Sequence, residues 1–190
     1  LAQDEHGWPW PGPSGQAGRN RGGSGSGWHG PFVVYIPEEF AALRPPEYKA
    51  GGKSERLVSF VDFAPTILSL IGVQPPEWMQ GHAFLGKFTT EPQPFLYGFR
   101  GRMDERLDLV RSVTDGRYVY IRNYMPHLIY GQHLNYMWQT PTTRVWEQLH
   151  KEGKLNAVQD KVGNPTPHEE HSDPQNDPEE GKKTVDQREQ

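Results

Sequence analysis

Ser59-Phe60-Val61-Asp62-Phe63-Ala64-Pro65-Thr66-Ile67-Leu68-Ser69-Leu70-Ile71-Gly72 is the stretch whose reading decides the fold. Asp62 stands where a helix start wants a carboxylate to accept a free backbone N–H. Pro65 falls in the first turn, where a missing N–H costs little. Phe63, Ile67, Leu70 and Ile71 recur at helical spacing and Leu68 widens the stripe, which predicts an apolar face turned inward. Gly72 supplies a left-handed stop. A helix this apolar is expected to pack on something large, most simply a sheet.

Upstream, Phe32-Val33-Val34-Tyr35-Ile36 is a continuous apolar run closed by Pro37. It fits a strand buried on both faces, as in a parallel sheet. Residues 38–55 contain Arg44-Pro45-Pro46 and Gly51-Gly52 and read as a surface connection. Downstream, Phe95-Leu96-Tyr97-Gly98-Phe99 is a short strand candidate, followed by a dense charge cluster at residues 100–106. Residues 107–113 and 117–124 alternate around Thr114-Asp115-Gly116, which predicts an antiparallel hairpin. Leu109 and Val113 are expected on one face, with Tyr118 and Tyr120 making cross-strand aromatic contacts. Thr142 or Thr143 caps a predicted helix from about Arg144 to Gly153, with Val145, Trp146 and Leu149 inward.

The 190 residues suffice for one domain with a core, but hydrophobic content is only 34%. With 21 Gly and 18 Pro, much of the chain is expected to be irregular. Residues 1–31 hold nine of those 21 glycines and keep no apolar periodicity. Residues 168–190 carry eight acidic and three basic side chains, which reads as a solvated tail. A net charge of −4 gives no case for nucleic acid, and no apolar run is long enough to cross a membrane. The chain has no Cys, which excludes disulfides and thiolate metal sites.

The order Val-Ser-x-x-Asp-x-x-Pro-Thr-x-Leu-x-Leu-x-Gly, then Pro75, Pro76 and Gly81-His82-Ala83-Phe84-Leu85-Gly86, resembles the sulfatase family of the alkaline-phosphatase superfamily. Residues 102–106, 120–127 and 130–133 look most like bacterial sulfatases similar to heparan N-sulfatase. The late segment His168-Glu169-Glu170, Asp173, Asp177-Pro178-Glu179 is similar to a family signature, with His171, Ser172 and Pro174 where that signature has apolar anchors. Those replacements lead us to expect an undocked tail.

The resemblance implies an α/β fold: the C-terminal part of an alkaline-phosphatase-like fold, with its last sheet strand and helix, plus a small antiparallel subdomain with a packed helix. The divisions it suggests are 1–31, a Gly/Pro-rich damaged or flexible segment; 32–90, the end of the catalytic domain; 91–163, the antiparallel subdomain; and 164–190, an acidic disordered tail. Ser26-Gly27-Trp28-His29-Gly30-Pro31 fits the family pattern before the strand, and Asp4-Glu5-His6-Gly7 resembles its Asp-His-Gly with Glu5 interposed. Asn20 stands where a Lys is expected. A locally altered reading frame, a sequencing error or pseudogene decay is the expected origin of that interruption; a clean open frame on resequencing would remove this expectation.

By resemblance, the full enzyme uses calcium and a formylglycine made from Cys-x-Pro-x-Arg or its Ser counterpart; this chain contains neither pattern. The carried-over metal ligands are Asp4 and His6, against the plainer reading of a polar terminus. His29 is the carried-over catalytic candidate, against a loop histidine. Arg100, Arg102, Asp104 and Arg106 form a candidate site for a sulfated sugar, against a charged surface loop with internal ion pairs. The function expected is a fragment of a sulfuric ester or sulfamate hydrolase acting on sulfated carbohydrate, inactive alone and, by family, periplasmic or secreted. The alternatives are a phosphodiesterase or phosphonate hydrolase of the same superfamily, and a non-catalytic sulfated-glycan-binding fragment.

Overall fold

The computed structural model describes residues 32–46, 48–173 and 175–176. They divide into two compact units, with the boundary between Leu96 and Tyr97. The secondary structure is mixed: a four-stranded antiparallel sheet with two α-helices and several 3-10 turns. Among the described residues no helix is long and apolar enough to cross a membrane. The first 31 residues lie outside the described residues, as do 177–190.

In the first unit, a 3-10 turn at Phe60–Asp62 leads into helix α1, Phe63–Leu70. The stop follows the sequence expectation. Gly72 has φ +77°, its N–H donates to Ser69 O at 3.2 Å, and Val73 N–H donates to Leu68 O at 2.9 Å. That pair of bonds satisfies carbonyls a helix end would otherwise leave orphaned.

The inward face differs in part from the expectation: Phe63 and Leu70 pack against the core, but Ile67 and Ile71 do not. Ile67 and Ile71 are 60% and 67% exposed, whereas Asp62, Pro65, Thr66 and Ser69 are buried. The reason lies in residues 81–88, which lie against the helix and need acceptors for their backbone N–H groups. His82 N–H donates to Asp62 Oδ1 at 2.7 Å, Phe84 N–H to Thr66 Oγ1 at 3.1 Å, and Phe88 N–H to Ser69 Oγ at 2.8 Å. Asp62 therefore does not cap α1 through its side chain. Its second oxygen accepts Ser59 N–H at 2.8 Å, while the Thr66 hydroxyl donates to Asp62 O at 2.6 Å.

Two glycines permit this close approach. A Cβ on Gly81 would collide with Val61 O, and one on Gly86 would fall 2.6 Å from Ser69 O at a backbone φ of +87°. Beside this polar seam sits a small core of Ile36, Val58, Phe84 and Leu85, with Tyr48, Phe63 and Leu70 against it. Phe32 stacks on Phe63 at 5.3 Å between ring centroids.

The predicted strand at residues 32–36 does not form among the described residues, and Val33 and Tyr35 are 88% and 77% exposed. A strand needs a neighbour to satisfy its backbone. Here Ile36 is held by side chains instead: Arg44 Nη2 donates to Ile36 O at 2.9 Å, and Ile36 N–H donates to the Tyr48 hydroxyl at 3.3 Å.

The second unit is built on strands β1 (Leu96–Met103), β2 (Arg106–Thr114), β3 (Val119–Asn123) and β4 (Glu169–Ser172), in that spatial order. The predicted hairpin is β2–β3, with Val113 opposite Tyr120 and Thr114 opposite Val119. Its connection is a four-residue loop, in which Asp115 Oδ1 accepts the N–H groups of Arg117 (2.9 Å) and Tyr118 (2.7 Å). Tyr118 finds its ring partner in β4, stacking on His171 at 5.5 Å.

The buried face of this sheet is again polar. Asp108, Ser112 and Thr114 alternate with Val110 on β2, Asn123 shares β3 with Val119 and Ile121, and Glu170 and Ser172 lie on β4. β4 corrects the expectation of an undocked tail over Glu169–Ser172. Asn123 explains its docking: Nδ2 donates to Pro167 O at 2.6 Å and to Glu170 Oε1 at 3.0 Å, and Asn123 N–H donates to His168 O at 2.7 Å. Backbone pairing and these amide bonds replace the apolar anchors the segment lacks.

Helix α2 spans Pro141–Lys151, starting three residues before the predicted Arg144, with Pro141 in the first turn. It packs against the 3-10 turns Met137–Gln139 and Asp160–Gly163. Trp146 Nε1 donates to Gln159 O at 3.3 Å, and His150 Nδ1 meets Asp160 Oδ1 at 2.7 Å.

Candidate functional site

The charge cluster at residues 100–106 forms the tip of the β1–β2 hairpin. Asp104 occupies the first position of its two-residue turn with φ +45°, a conformation Asp tolerates better than most side chains. Arg102 Nε donates to Asp104 O at 2.6 Å, which ties the guanidinium across the turn.

Loop 132–139 is fastened to this tip by three bonds. Arg106 Nε donates to His133 O at 2.7 Å, Asn135 N–H donates to Glu105 Oε1 at 2.8 Å, and Gln132 Nε2 donates to Leu107 O at 3.4 Å. Leu134, 2% exposed, anchors the loop from below. The Asn135 N–H, helped by the charges of Arg106 and His133, holds the Glu105 carboxyl below its ordinary pKa. Desolvation and the negative charges of Asp104 and Glu105 push the Tyr136 hydroxyl up.

The His133 and Trp138 rings lie 4.3 Å apart at the end of this loop. Trp138 Nε1 donates to Glu147 Oε2 at 2.8 Å, and Lys151 Nζ holds the other oxygen of Glu147 at 2.8 Å. Of the neighbouring carboxylates, Glu105 and Glu147 are thus already engaged, while Asp104 is exposed at the tip itself. Arg102 and Arg106 use Nε on main-chain carbonyls and, among the described residues, keep their terminal nitrogens for solvent or ligand.

The four residues singled out from the sequence are therefore not equivalent. Arg102, Asp104 and Arg106 are exposed at the tip. Arg100 is largely buried and its Nε lies 3.4 Å from Asp108 Oδ2, whose side chain is only 1% exposed. Breaking such a pair would strand a buried charge, which makes Arg100 a structural partner of Asp108 first. Asp4, His6 and His29 lie outside the described residues. Among the described residues no group of three or more His, Asp or Glu side chains is placed to hold a metal ion.

A second cluster was not singled out from the sequence. On the exposed face of the sheet, Arg111 of β2 stands directly opposite Arg122 of β3. The Arg111 guanidinium lies over the Phe99 ring at 5.7 Å, and that of Arg122 over Tyr124 at 5.4 Å. Alternation along each strand would have placed these residues outward; only the register makes them neighbours.

No family model matches the chain. An ulvan-active sulfatase of Formosa agariphila is 38% identical over 134 residues, which are 70% of this chain and 21% of that protein. A second ulvan-active sulfatase of the same organism is 34% identical over 92 residues, 45% of this chain and 18% of that protein. The chain is related to the sulfatases. The matched part spans about a fifth of the length of these curated sulfatases. That relationship agrees with the resemblance read from residues 59–86, several of whose letters are used by the α1 seam: Asp62, Thr66, Gly81 and Gly86.

Proposed function

We propose that these residues are part of a sulfatase, a sulfuric ester or sulfamate hydrolase, that acts in the full protein on sulfated carbohydrate. The observation that carries this reading is the 38% identity to a sulfatase over 70% of the chain. The relatives' names make ulvan the first carbohydrate to try. On this reading the α1 seam belongs to an alkaline-phosphatase-like catalytic domain, and the β1–β4 sheet to a C-terminal subdomain.

The chain's own part in the reaction is to support and to orient. Formylglycine would supply the nucleophile, and neither Cys-x-Pro-x-Arg nor its Ser form occurs in these 190 residues. The described residues also gather no group of three or more His, Asp or Glu side chains for a metal ion. On this reading the nucleophile comes from another part of the protein, and the carried-over metal ligands Asp4 and His6 lie outside the described residues. Asp62, Thr66 and Ser69 fix residues 82–88 against α1, and the guanidinium groups of Arg102 and Arg106 face outward on a loop already locked in place. Fixed guanidinium groups suit sulfate oxygens, since their N–H forks are pre-oriented.

The test is sulfate release from ulvan. The 190-residue chain alone should release none. The same chain joined to a segment carrying the nucleophile motif should release sulfate and leave phosphodiesters and phosphonates intact. Hydrolysis of a phosphodiester or phosphonate without sulfate release would replace this reading by the phosphohydrolase one.

A further inference from the structure

The exposed face of the β-sheet carries an arrangement that costs stability as it stands. Arg111 and Arg122 are direct cross-strand partners, so their side chains leave the sheet on the same side. Like charges placed directly opposite each other in an antiparallel pair are destabilising. Compensation is thin. The nearest carboxylate, Glu169, is opposite Arg122 in the β3–β4 register, but it lies 3.8 Å from Arg122 Nη1 and both side chains are about half exposed (55% and 50%). Arg111 donates Nη1 to Val110 O at 2.9 Å and has no carboxylate within ion-pair distance among the described residues.

Two rings frame the pair. Phe99 and Tyr124 are 60% and 51% exposed, each beneath one guanidinium. Such contacts hold a guanidinium plane in place while leaving its edge open for hydrogen bonding.

We infer that the Arg111–Arg122 pair, flanked by Phe99 and Tyr124, is a binding subsite for a sulfate group on a polysaccharide. An oxyanion over this face draws charge-assisted N–H donors from guanidinium groups that leave the sheet on the same side, so the ligand supplies the charge that the sheet lacks. The site is distinct from the hairpin tip at residues 102–106, because it is set by strand register rather than by the turn. The choice of a sulfated sugar over another polyanion rests on the sulfatase reading above. The binding test does not, since it needs no turnover.

Affinity electrophoresis of the 190-residue protein is run through gels containing dextran sulfate, carboxymethyl dextran or unmodified dextran, with oligothymidylate binding measured alongside. Dextran sulfate should retard the protein, and the other two should do so far less. Arg111→Gln and Arg122→Gln should each weaken that binding about tenfold, the loss of one charge-assisted contact. Arg144→Gln, an exposed arginine of α2 away from the sheet pair, should leave it unchanged. Arg111→Gln should also melt at or above the temperature of the unaltered protein, because it relieves repulsion; Arg111→Lys, which keeps the charge, should not gain. Binding that survives Arg111→Gln and Arg122→Gln would overturn the subsite, as would an equal loss from Arg144→Gln. Equal retardation by carboxymethyl dextran would overturn its assignment to sulfate, and tighter binding of oligothymidylate would overturn its assignment to a polysaccharide. Turnover of ulvan by the joined protein with binding unaffected by these substitutions would leave the sulfatase reading standing and remove this inference alone.

Discussion

The Asp62 carboxylate accepts the backbone N–H of His82 at 2.7 Å, twenty residues away along the chain. Its other oxygen accepts Ser59 N–H at 2.8 Å, and the side chain is almost fully buried. One carboxylate thus fastens the start of α1 to the segment that runs beside it. Asp62→Ala leaves two donors without a partner in a closed space. The expected cost is about 2–4 kcal/mol, read as a lower urea midpoint. Asp62→Asn keeps one acceptor and should cost less. An unchanged midpoint for Asp62→Ala would show that the seam does not hold this unit together.

Gly86 and Gly72 both have positive φ, but their surroundings differ. A Cβ on Gly72 meets open space, whereas one on Gly86 meets Ser69 C and O at 2.6 Å. Gly72→Ala should cost about 1 kcal/mol from backbone strain alone. Gly86→Ala should cost clearly more, about 2–3 kcal/mol, because the seam must also open. Equal melting temperatures for the two variants would contradict the close approach.

Asn123 joins β3 to the segment that enters β4 through two side-chain bonds and one main-chain bond. Asn123→Ala removes the two side-chain bonds and should destabilise the sheet by about 1–3 kcal/mol. Limited proteolysis should then cut near residues 165–172 sooner than in the unaltered protein. No gain in cleavage there would mean that backbone pairing alone secures β4.

The β2–β3 loop should loosen in acid. The N–H groups of Tyr118 and Arg117 hold the Asp115 carboxyl below its ordinary pKa. A carboxylate with a lowered folded-state pKa stabilises above its unfolded pKa, and that contribution is lost as pH falls through the lowered value. Amide exchange at Arg117 and Tyr118, compared with that of a distant reference amide, should therefore rise as pH falls below about 4. Asp115→Asn keeps an acceptor without the charge and should flatten this dependence. A loop whose relative protection ignores pH in both forms would rule the carboxylate out as its support.

Much of the chain was legible from residue order. The stop of α1 at Gly72, the strand alternation around Asp115 and the existence of α2 follow from local chemistry that a few adjacent residues carry, although α2 starts at Pro141 after Thr140 rather than behind a Thr142 or Thr143 cap. Buried faces were less legible. Hydrophobic periodicity points to Ile67 and Ile71, yet the residues facing inward are Asp62, Thr66 and Ser69. The strand expected at residues 32–36 likewise depends on a neighbour that local letters cannot supply. The hairpin tip was visible as a charge cluster, but loop 132–139 gripping it, and Arg100 withdrawing to Asp108, were not.

The sequence by itself determined where elements start, turn and stop, because caps, glycine stops and strand alternation act over one to four residues. It also carried the sulfatase relationship, through letters whose purpose it did not reveal. Only the tertiary structure decided which polar groups go inside. A backbone N–H at His82, Phe84 or Phe88 needs an acceptor wherever the fold places it, and Asp62, Thr66 and Ser69 became buried because they stand there. The same holds for the sheet. Arg111 and Arg122 are eleven residues apart in the chain, and strand register alone makes them partners.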